Sequence, residues 1–464
     1  MKLKYNLFSF LVILSLLTGV NPTVLANNHI NESFLFFSIP TSTNESPQYI
    51  PESVGLNSQK LNQIELIVLE GIRNKAFPGC QVVVLKNGKN VYDKAFGTFT
   101  YESSQKITTE TLFDLASVTK TSATLLAVMK LYDEGRLKLT DSASTYLDFL
   151  KNTDKQDITI TDLLFHESGL PAYLPFYKSA LEAIPDSNNC KDCPKPTVKM
   201  SSKTQQYKAD LVSKFPDSLF NIQLGDSFYI HKSFHEAAMQ RIADTKLLEK
   251  TYRYSCINFI SLKEIVEKIT GTSMDQFLDK EFYKPMNLNS ICYLPLRNHS
   301  KDNIAPTLKK EELRTGIIQG WVNDPAAAFL GGISGNAGLF STATDLANLY
   351  QMLLNKGELN GRRYLSTATC ELFTQTLSES GHRGLGFDKP RPDKPNANPC
   401  GASAPIEVYG HTGYTGTCVW VDSVNQMVYV FLSNRTYPND GSNKLSTLGI
   451  RPRIHEIIYQ AMKK

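Results

Sequence analysis

Residues 113–120 read Phe-Asp-Leu-Ala-Ser-Val-Thr-Lys, and the apolar residues that follow recur at helical spacing as far as Gly135. This pattern predicts an amphipathic helix from Ser117 to Glu134. Because Ser117 and Lys120 are three residues apart, both side chains are expected on one face of that helix. The motif therefore places a hydroxyl beside an amine at a helix N-terminus.

This pairing suits nucleophilic catalysis. A serine hydroxyl attacks a carbonyl when a nearby base takes its proton, and a lysine takes it when burial and neighbours lower its pKa. A helix N-terminus adds backbone N–H groups and a positive dipole end at the same point. Alone, the motif is more often a capping serine with a solvated lysine. The segment Ser103–Lys106 repeats the spacing in a polar stretch without helical periodicity.

A glycine-rich motif follows far downstream, where residues 410–416 read Gly-His-Thr-Gly-Tyr-Thr-Gly and lead into a strand-like run. Glycines before a strand let a substrate or another backbone approach closely. A strand edge here can bind an extended amide and supply an oxyanion-hole N–H. By itself the motif is equally typical of a turn with a solvated histidine. Residues 314–316 read Arg-Thr-Gly but lack a following strand, so His411 is favoured.

Strand-like segments occur at both ends of the chain. Residues 80–96 form two such runs around Asn87 and Gly88, a pair that predicts a β-hairpin because both turn residues need positive φ. Residues 417–432 form a second pair, and residues 450–462 are predicted to be a closing helix. We therefore expect an α/β (α+β) fold: one antiparallel sheet built from both chain ends, flanked by helices, with an inserted, mainly helical domain.

The predicted domain boundaries follow from this order. Residues 58–111 and 400–464 are expected to form the α/β sheet domain, and residues 112–399 the mainly helical domain. Within the latter, residues 172–250 are richer in polar residues and proline and are interpreted as an insertion. Residues 27–57 mix Asn, Ser, Thr and Pro and are predicted to be a flexible lead-in.

The N-terminus has the features of a secretory signal. A basic start precedes an almost unbroken apolar run over residues 7–20, and cleavage is expected after Ala26, which makes residues 1–26 the signal peptide. The run is short for a membrane span, so an uncleaved anchor is the less favoured alternative. Cleavage removes Lys2 and Lys4 and no acidic residue, so the formal charge falls from +4 to +2. The mature protein is expected to be periplasmic or secreted, without a stable membrane span.

The composition is that of an ordinary globular protein. With 464 residues, 41% of them hydrophobic and 20% charged, disordered, collagen-like and low-complexity classes are excluded. Lys and Arg total 49 against 45 Asp and Glu, without a basic stripe, which argues against a nucleic-acid partner. Eight cysteines suit an exported protein. Cys190 and Cys193 are interpreted as a local disulfide or as half of a zinc site whose other half is missing, so no metal is expected.

The serine–lysine motif followed by His-Thr-Gly resembles the serine β-lactamase and penicillin-binding-protein superfamily. The absence of a Ser-Asp-Asn segment argues against class A. Three further segments resemble the class C β-lactamase and esterase-like branch, at residues 164–171, 337–346 and 384–387. The resemblance covers residues 58–464, with its motifs in the expected order.

The resemblance implies a role for each matching residue. That branch carries a Tyr-x-Asn element between the other two motifs, and here the interval holds Tyr254, a serine and Cys256, followed by an apolar-periodic helix. Ser117 is implied as the nucleophile, with Lys120 and Tyr254 transferring protons. The oxyanion hole is implied to use the backbone N–H groups of Ser117 and Tyr414.

The remaining implied residues bind substrate: His411, Thr412 and Gly413 on the opposite wall, and Cys256 in place of the polar third residue of the family's element. Histidine at this position is uncharged near neutral pH, which favours esterase or amidase chemistry over β-lactamase or carboxypeptidase chemistry.

The implied function is an exported serine hydrolase that forms an acyl-enzyme on an amide, ester or β-lactam carbonyl, as a β-lactamase, D,D-peptidase or esterase does. The alternative is a catalytically weak module that binds penicillin or cell-wall peptide. The expected partner is a small-molecule or peptide acyl substrate, cell-wall fragments included, and no cofactor is expected.

Overall fold

The computed structural model describes residues 49–184, 195–379 and 383–462. The predicted signal peptide, most of the lead-in, and the Cys190 and Cys193 pair lie outside these residues. Within the described ranges, no helix combines the length and the apolar character that crossing a membrane requires.

The described strands are β1 (Gly79–Lys86), β2 (Lys89–Gly97), β3 (Phe113–Asp114), β4 (Leu181–Ala183), β5 (Gln205–Tyr207), β6 (Val212–Ser213), β7 (Ile222–Gly225), β8 (Phe228–Ile230), β9 (Cys292–Tyr293), β10 (Leu339–Ser341), β11 (Glu358–Leu359), β12 (Arg362–Arg363), β13 (Tyr409–Thr412), β14 (Cys418–Asp422) and β15 (Met427–Ser433). The α-helices are α1 (Ser58–Leu61), α2 (Ile64–Arg73), α3 (Leu125–Asp133), α4 (Ile160–Phe165), α5 (Phe234–Asp244), α6 (Cys256–Thr270), α7 (Met274–Leu278), α8 (Pro325–Phe329), α9 (Ala343–Leu354), α10 (Thr367–Gln375), α11 (Lys444–Thr447) and α12 (Ile450–Met462). Short 3₁₀ and π segments connect several of them.

The central sheet has five antiparallel strands in the order β13-β14-β15-β1-β2. Its middle strand, β15, pairs with β1, so that Val83 lies opposite Val430. The first hairpin turns at Asn87 and Gly88, whose φ angles are 52° and 72°. The predicted hairpin and the predicted sheet built from both chain ends are therefore confirmed.

Packed layers cover both faces of this sheet. Side chains alternate between the faces along a strand. Val82 and Val84 belong to one buried cluster with residues of α2 and α12, whereas Val83 and Leu85 belong to the larger cluster of the central helices. The sheet is buried on both sides, which explains the nearly continuous apolar sequence of β1.

The segment after Ser117 differs from the single regular helix expected there. Residues Ala116–Val118 form a 3₁₀ turn, Lys120–Thr124 form a π turn, and only then does α3 begin. Within the π turn, the carbonyl oxygen of Ser122 accepts a hydrogen bond from the hydroxyl of Tyr283 at 2.8 Å. This tertiary hydrogen bond uses a carbonyl oxygen that also serves as an acceptor for the backbone N–H groups of the helix. Single π turns of this kind are frequent at functional sites.

The predicted insertion, residues 172–250, contains two small antiparallel sheets, one of β4 and β5 and one of β6, β8 and β7, followed by α5. Its aromatic rings pack on Phe329, with centroids at 6.4 Å for Tyr207, 6.3 Å for Phe228 and 5.5 Å for Phe234. Phe329 ends α8, so the segment supports that helix. The domain boundaries themselves remain predictions.

Candidate active site

The backbone ahead of Ser117 is held by the carboxyl group of Asp114. The N–H of Ala116 donates to Oδ1 at 2.8 Å and the N–H of Asn323 donates to Oδ2 at 2.6 Å. Complete burial raises the pKa of Asp114 to about 6, against the opposing effect of these two hydrogen bonds. Ala116 has φ = 46°, a left-handed conformation that is uncommon for a residue with a Cβ. Ser117 is thus presented on a strained and tightly anchored turn.

The ammonium group of Lys120 lies directly behind the hydroxyl of Ser117. Its Nζ donates to Ser117 Oγ at 3.1 Å, to the carbonyl oxygen of Asn336 at 3.0 Å and to Cys256 Sγ at 3.6 Å. The Lys120 side chain is completely buried. These three contacts use all three N–H donors of the ammonium group, so its position relative to Ser117 is fixed.

The pKa of Lys120 is raised, so the condition under which lysine serves as a neutral base is not met. Burial lowers this pKa, but the ionised forms of Cys256 and Tyr254 act in the opposite direction and outweigh burial. The negative charge of Asp324 adds to their effect. Lys120 is therefore an ammonium group near neutral pH.

Tyr254 lies against this ammonium group, with its ring centroid 5.1 Å from Lys120 Nζ. On its other side the ring packs on His166, whose ring centroid is 4.6 Å away. His166 follows the last residue of α4 as its C-cap, with φ = 59°. Its Nδ1 accepts a hydrogen bond from the N–H of Ser255 at 3.0 Å. His166 thus has a structural role, because it holds Tyr254 and the N-terminus of α6 in place.

His411 is buried on β13, and its ring centroid is 6.0 Å from that of Tyr254. Its Nδ1 donates to the carbonyl oxygen of Thr412 at 2.7 Å, while Nε2 has no hydrogen-bond partner among the described residues. Burial and the positive charges of Arg383 and Lys120 hold the pKa of His411 well below its usual value. Arg383 itself forms a buried ion pair with Asp388.

Gly413 brings the end of β13 against the serine–lysine motif. A Cβ at this position would lie 2.5 Å from the carbonyl oxygen of Leu115 and 2.0 Å from Oγ1 of Thr417. The Thr417 hydroxyl donates to the same carbonyl oxygen at 2.9 Å. Thr412, in contrast, lines a separate cavity of about 760 Å³ beside Arg451. The close approach predicted for this motif is therefore made to the protein's own backbone.

A cleft of about 400 Å³ opens at the nucleophile candidate. It is lined by Ala116, Ser117, Tyr173, Leu308, Lys310, Glu311, Glu312, Asn323, Asp324, Pro325, Asn336, Ala337, Tyr414, Asn439 and Asp440. Tyr414 is half exposed, and its hydroxyl donates to Asp440 at 2.9 Å. Lys120, Tyr254, Cys256 and His411 lie behind Ser117 rather than among these lining residues. In the described ranges, no group of three or more His, Cys, Asp or Glu side chains could hold a metal ion.

Several residues of this site were not predicted. Asp324 and Asn323 line the cleft, the Asn336 carbonyl oxygen contacts Lys120, and Arg383 lies with its guanidinium carbon 6.0 Å from the Tyr254 ring centroid. Only Asp324 had a usable local signal, because an aspartate directly before a proline and three alanines is typical of a helix N-cap. The similar Arg-Thr-Gly segment has a structural role, since buried Arg314 donates to the carbonyl oxygens of Val322 and Asn323.

Comparison with known proteins gives matches along most of the chain. The family model described as beta-lactamase matches residues 64–449, within the range over which the motifs predicted the resemblance. A protein of Escherichia coli O157:H7 named as a D-alanyl-D-alanine carboxypeptidase is 29% identical over 417 residues, covering 83% of this chain and 85% of that protein. An N-acetylmuramyl-L-alanine amidase of Bacillus subtilis (strain 168) is 30% identical over 413 residues, covering 83% of each. The crystal structure of a penicillin-binding protein homologue from Caulobacter crescentus shares the fold, with a TM-score of 0.60, 17% identity, and coverage of 91% of this chain and 100% of that one.

Proposed function

Because this chain belongs to the beta-lactamase family of serine hydrolases, we propose that it acts through a covalent acyl-enzyme formed on Ser117. The observation that carries the proposal is the 3.1 Å contact between Ser117 Oγ and Lys120 Nζ at the wall of an open cleft. The substrate is an amide, ester or β-lactam carbonyl compound that enters this cleft.

In the proposed acylation, Ser117 Oγ attacks the carbonyl carbon and passes its proton to the oxygen of Tyr254 while that phenol gives its own proton to the leaving-group atom. The tetrahedral intermediate then collapses and the bond to the protonated leaving group breaks, so Tyr254 ends the step as the phenol it was at the start. Water then adds to the acyl carbon and gives a proton to Tyr254, which passes its own proton to Ser117 Oγ as the bond between the acyl group and Ser117 breaks. Lys120 stays an ammonium group throughout and stabilises negative charge that develops on Ser117 Oγ and on the oxygen of Tyr254.

The backbone N–H groups of Ser117 and Tyr414 are proposed as the oxyanion hole, since both residues line the cleft. His411 and Gly413 are proposed to form the wall behind the nucleophile on the side of β13, whereas Thr412 lines the separate cavity beside Arg451. Within that wall Gly413 sets the distance between β13 and the nucleophile, because its backbone lies against Leu115.

The relatives are named as a carboxypeptidase and an amidase, which supports a peptide or amide substrate, cell-wall fragments included. The low pKa of His411 keeps its ring uncharged at neutral pH, so this wall supplies no imidazolium for a substrate carboxylate. Export to the periplasm or the exterior is part of the proposal and rests on the N-terminal sequence of residues 1–26.

The test is covalent labelling of the purified mature protein with a fluorophosphonate and with a fluorescent penicillin, followed by mass spectrometry of the labelled peptide. We expect the adduct on Ser117, and we expect Ser117→Ala to lower ester or amide turnover at least about a thousandfold. Ser103→Ala is the matched control, because it removes the serine of the other S-x-x-K segment. An adduct elsewhere, or full turnover by Ser117→Ala, would refute the mechanism.

The second candidate is a module that acylates or binds without efficient turnover, and Cys256 favours it. Its Sγ occupies the position of a polar amide in the related element and is engaged with Lys120 at 3.6 Å. Stoichiometric labelling of Ser117, with no hydrolysis of an ester, amide and β-lactam panel, would support this candidate over the enzyme.

A further inference from the structure

The cleft beside Ser117 is lined by carboxylates far more than by cations. Glu311, Glu312, Asp324 and Asp440 contribute acidic side chains, and Lys310 is the one basic residue among the described lining residues. The chain as a whole is close to neutral, with 49 basic and 45 acidic residues, so this imbalance is local.

The four carboxylates differ in how far neighbouring groups or solvent already compensate their charge. Glu311 is paired with buried Arg314 at 2.6 Å, and Asp440 accepts from the hydroxyl of Tyr414. Glu312 is exposed and is screened by solvent. Asp324 is half-buried and makes no ion pair among the described residues. Its charge is therefore the one most available to a ligand in the cleft.

Asp324 is also rigidly placed next to the reacting groups. Its Oδ1 accepts from the N–H of Ala327 at 2.7 Å and caps α8, which leaves Oδ2 for another partner. The charge of Asp324 raises the pKa of Lys120, the group that contacts Ser117. It also raises the pKa of the Tyr173 hydroxyl, on which burial has the larger effect. A ligand that reaches Ser117 through this cleft therefore lies in the field of Asp324.

One neighbouring side chain adds to the attraction for a positive group. The ring of Tyr173 lines the cleft and is partly exposed, and an aromatic face attracts a cation. Asn323 also lines the cleft, but its unpartnered Nδ2 is a hydrogen-bond donor and therefore does not attract a cation. The Tyr414 ring, in contrast, is already occupied by Arg435, whose guanidinium lies 4.5 Å from its centroid.

The charged groups behind the nucleophile do not line the cleft. Arg383 is paired with Asp388, the Arg435 Nε donates to the carbonyl oxygen of Tyr414 at 2.7 Å, and Lys120 has all three donors engaged. Within the cleft lining, a substrate carboxylate would therefore face Asp324, with the exposed Lys310 as the one basic lining residue described.

We propose that the cleft selects acyl substrates that carry a cationic group, such as a protonated α-amine, beside the scissile carbonyl, with Asp324 as the anionic anchor and Tyr173 as the aromatic wall. This substrate class rests on the proposed function, because it assumes that Ser117 attacks the carbonyl. It predicts aminoacyl amides and esters as better substrates than their uncharged isosteres.

The experiment compares matched pairs at pH 6.5, where an α-amine is mostly protonated. Both enantiomers of alanine p-nitroanilide are compared with isobutyryl p-nitroanilide for kcat/KM. In parallel, 1-aminoethylboronic acid is compared with isopropylboronic acid for competitive inhibition of fluorophosphonate labelling, which needs no turnover. We expect the amine-bearing member of at least one pair to be preferred by about tenfold or more.

The deciding variant is Asp324→Asn, because asparagine can keep the cap on α8 while losing the charge. We expect it to reduce the preference for the amine about tenfold. Asp210→Asn, which removes a charge outside the cleft lining, is expected to leave the preference unchanged. A preference absent from both pairs, or one that Asp324→Asn leaves intact, overturns the inference even if Ser117 is labelled. Absence of any Ser117 adduct overturns the proposed function instead.

Discussion

Lys120 shows how one buried side chain depends on its contacts. In isolation, a completely buried lysine would lose its proton readily. Here Ser117, Asn336 and Cys256 accept its three donors, and the ionisable groups of Cys256 and Tyr254 raise its pKa. The local sequence places Lys120 three residues after Ser117, but its protonation state depends on residues more than a hundred positions away.

Cys256→Ser tests this dependence. A serine at this position keeps a hydrogen-bond acceptor but does not ionise, so the pKa of Lys120 is expected to fall as burial becomes less opposed. The alkaline limb of the kcat/KM profile, which reports loss of the Lys120 ammonium, should move to lower pH. The measurement is amide hydrolysis between about pH 7 and pH 11, because the raised pKa of Lys120 places the wild-type limb at the alkaline end of this range or beyond it.

Cys292→Ser is the control for this experiment. Burial raises the pKa of Cys292 to about 12, so this thiol is neutral over the measured range, and it lies on β9 rather than beside Lys120. Its replacement should leave the profile in place. An identical profile for wild type and Cys256→Ser would contradict the role assigned to Cys256.

At the scale of elements, the site depends on how closely β13 approaches the motif at residues 113–120. The approach is fixed by Gly413, by the Thr417 hydroxyl on the Leu115 carbonyl oxygen, and by the Thr415 hydroxyl on the Asp114 carbonyl oxygen at 2.7 Å. The glycine-rich motif therefore joins the sheet to the nucleophile turn.

Gly413→Ala should break this junction. A Cβ would overlap Oγ1 of Thr417 and the Leu115 carbonyl oxygen, and backbone cannot move aside as a flexible side chain can. We expect a loss of about 1–3 kcal/mol in the free energy of unfolding and a marked loss of Ser117 labelling. Chemical denaturation and the rate of fluorophosphonate labelling measure the two effects.

Gly225→Ala is the matched control, because a Cβ there would meet only the Cβ of Phe228, at an ordinary 4.0 Å. This variant should keep both its stability and its labelling rate. If Gly413→Ala behaves like Gly225→Ala, the junction is not as tight as the contacts at Gly413 indicate.

At the scale of the whole molecule, the two packed faces of the sheet bury ionisable groups in their neutral forms. His455 of α12 lies between Tyr429 of β15 and Tyr459, with ring centroids 5.2 and 4.9 Å away, and its Nδ1 accepts from the N–H of Gly401. Burial lowers the pKa of His455 to about 3. His166 and His411 are lowered in the same direction.

Stability is therefore expected to fall in acid. A histidine whose pKa is lower in the folded state than in the unfolded state takes up its proton on unfolding, so the free energy of unfolding decreases as pH falls below about 6.5. For His455 alone the loss continues down to about pH 3 and amounts to about 1.4 kcal/mol per pH unit. His455→Asn removes this group, so the slope of the unfolding free energy against pH should fall by the amount that corresponds to the uptake of about one proton on unfolding.

Urea denaturation at a series of pH values between about 4 and 7 measures this slope. His231→Asn, at a partly exposed histidine outside the buried layers, is the control and should keep the wild-type slope. A His455→Asn protein with an unchanged slope would show that His455 is not neutral in the folded protein.

The elements with a strong local signal could be predicted from sequence. The hairpin at Asn87 and Gly88, the strand pair over residues 417–432 and the helix over residues 450–462 follow from alternation, turn chemistry and helical spacing. The regular helix predicted after Ser117 was wrong over its first two turns. Contacts with distant residues such as Tyr283 change the backbone there, although the spacing of apolar residues in the segment is regular.

The sequence by itself determined the family, the sheet built from both chain ends, and the candidates Ser117, Lys120 and Tyr254, because spacing and residue type are local properties. Only the tertiary structure decided the charge of Lys120, the lowered pKa of His411 and the acidic character of the cleft at Asp324. These depend on burial and on charges brought close from distant parts of the chain. Electrostatic interactions act through space and through the local dielectric, neither of which sequence order records.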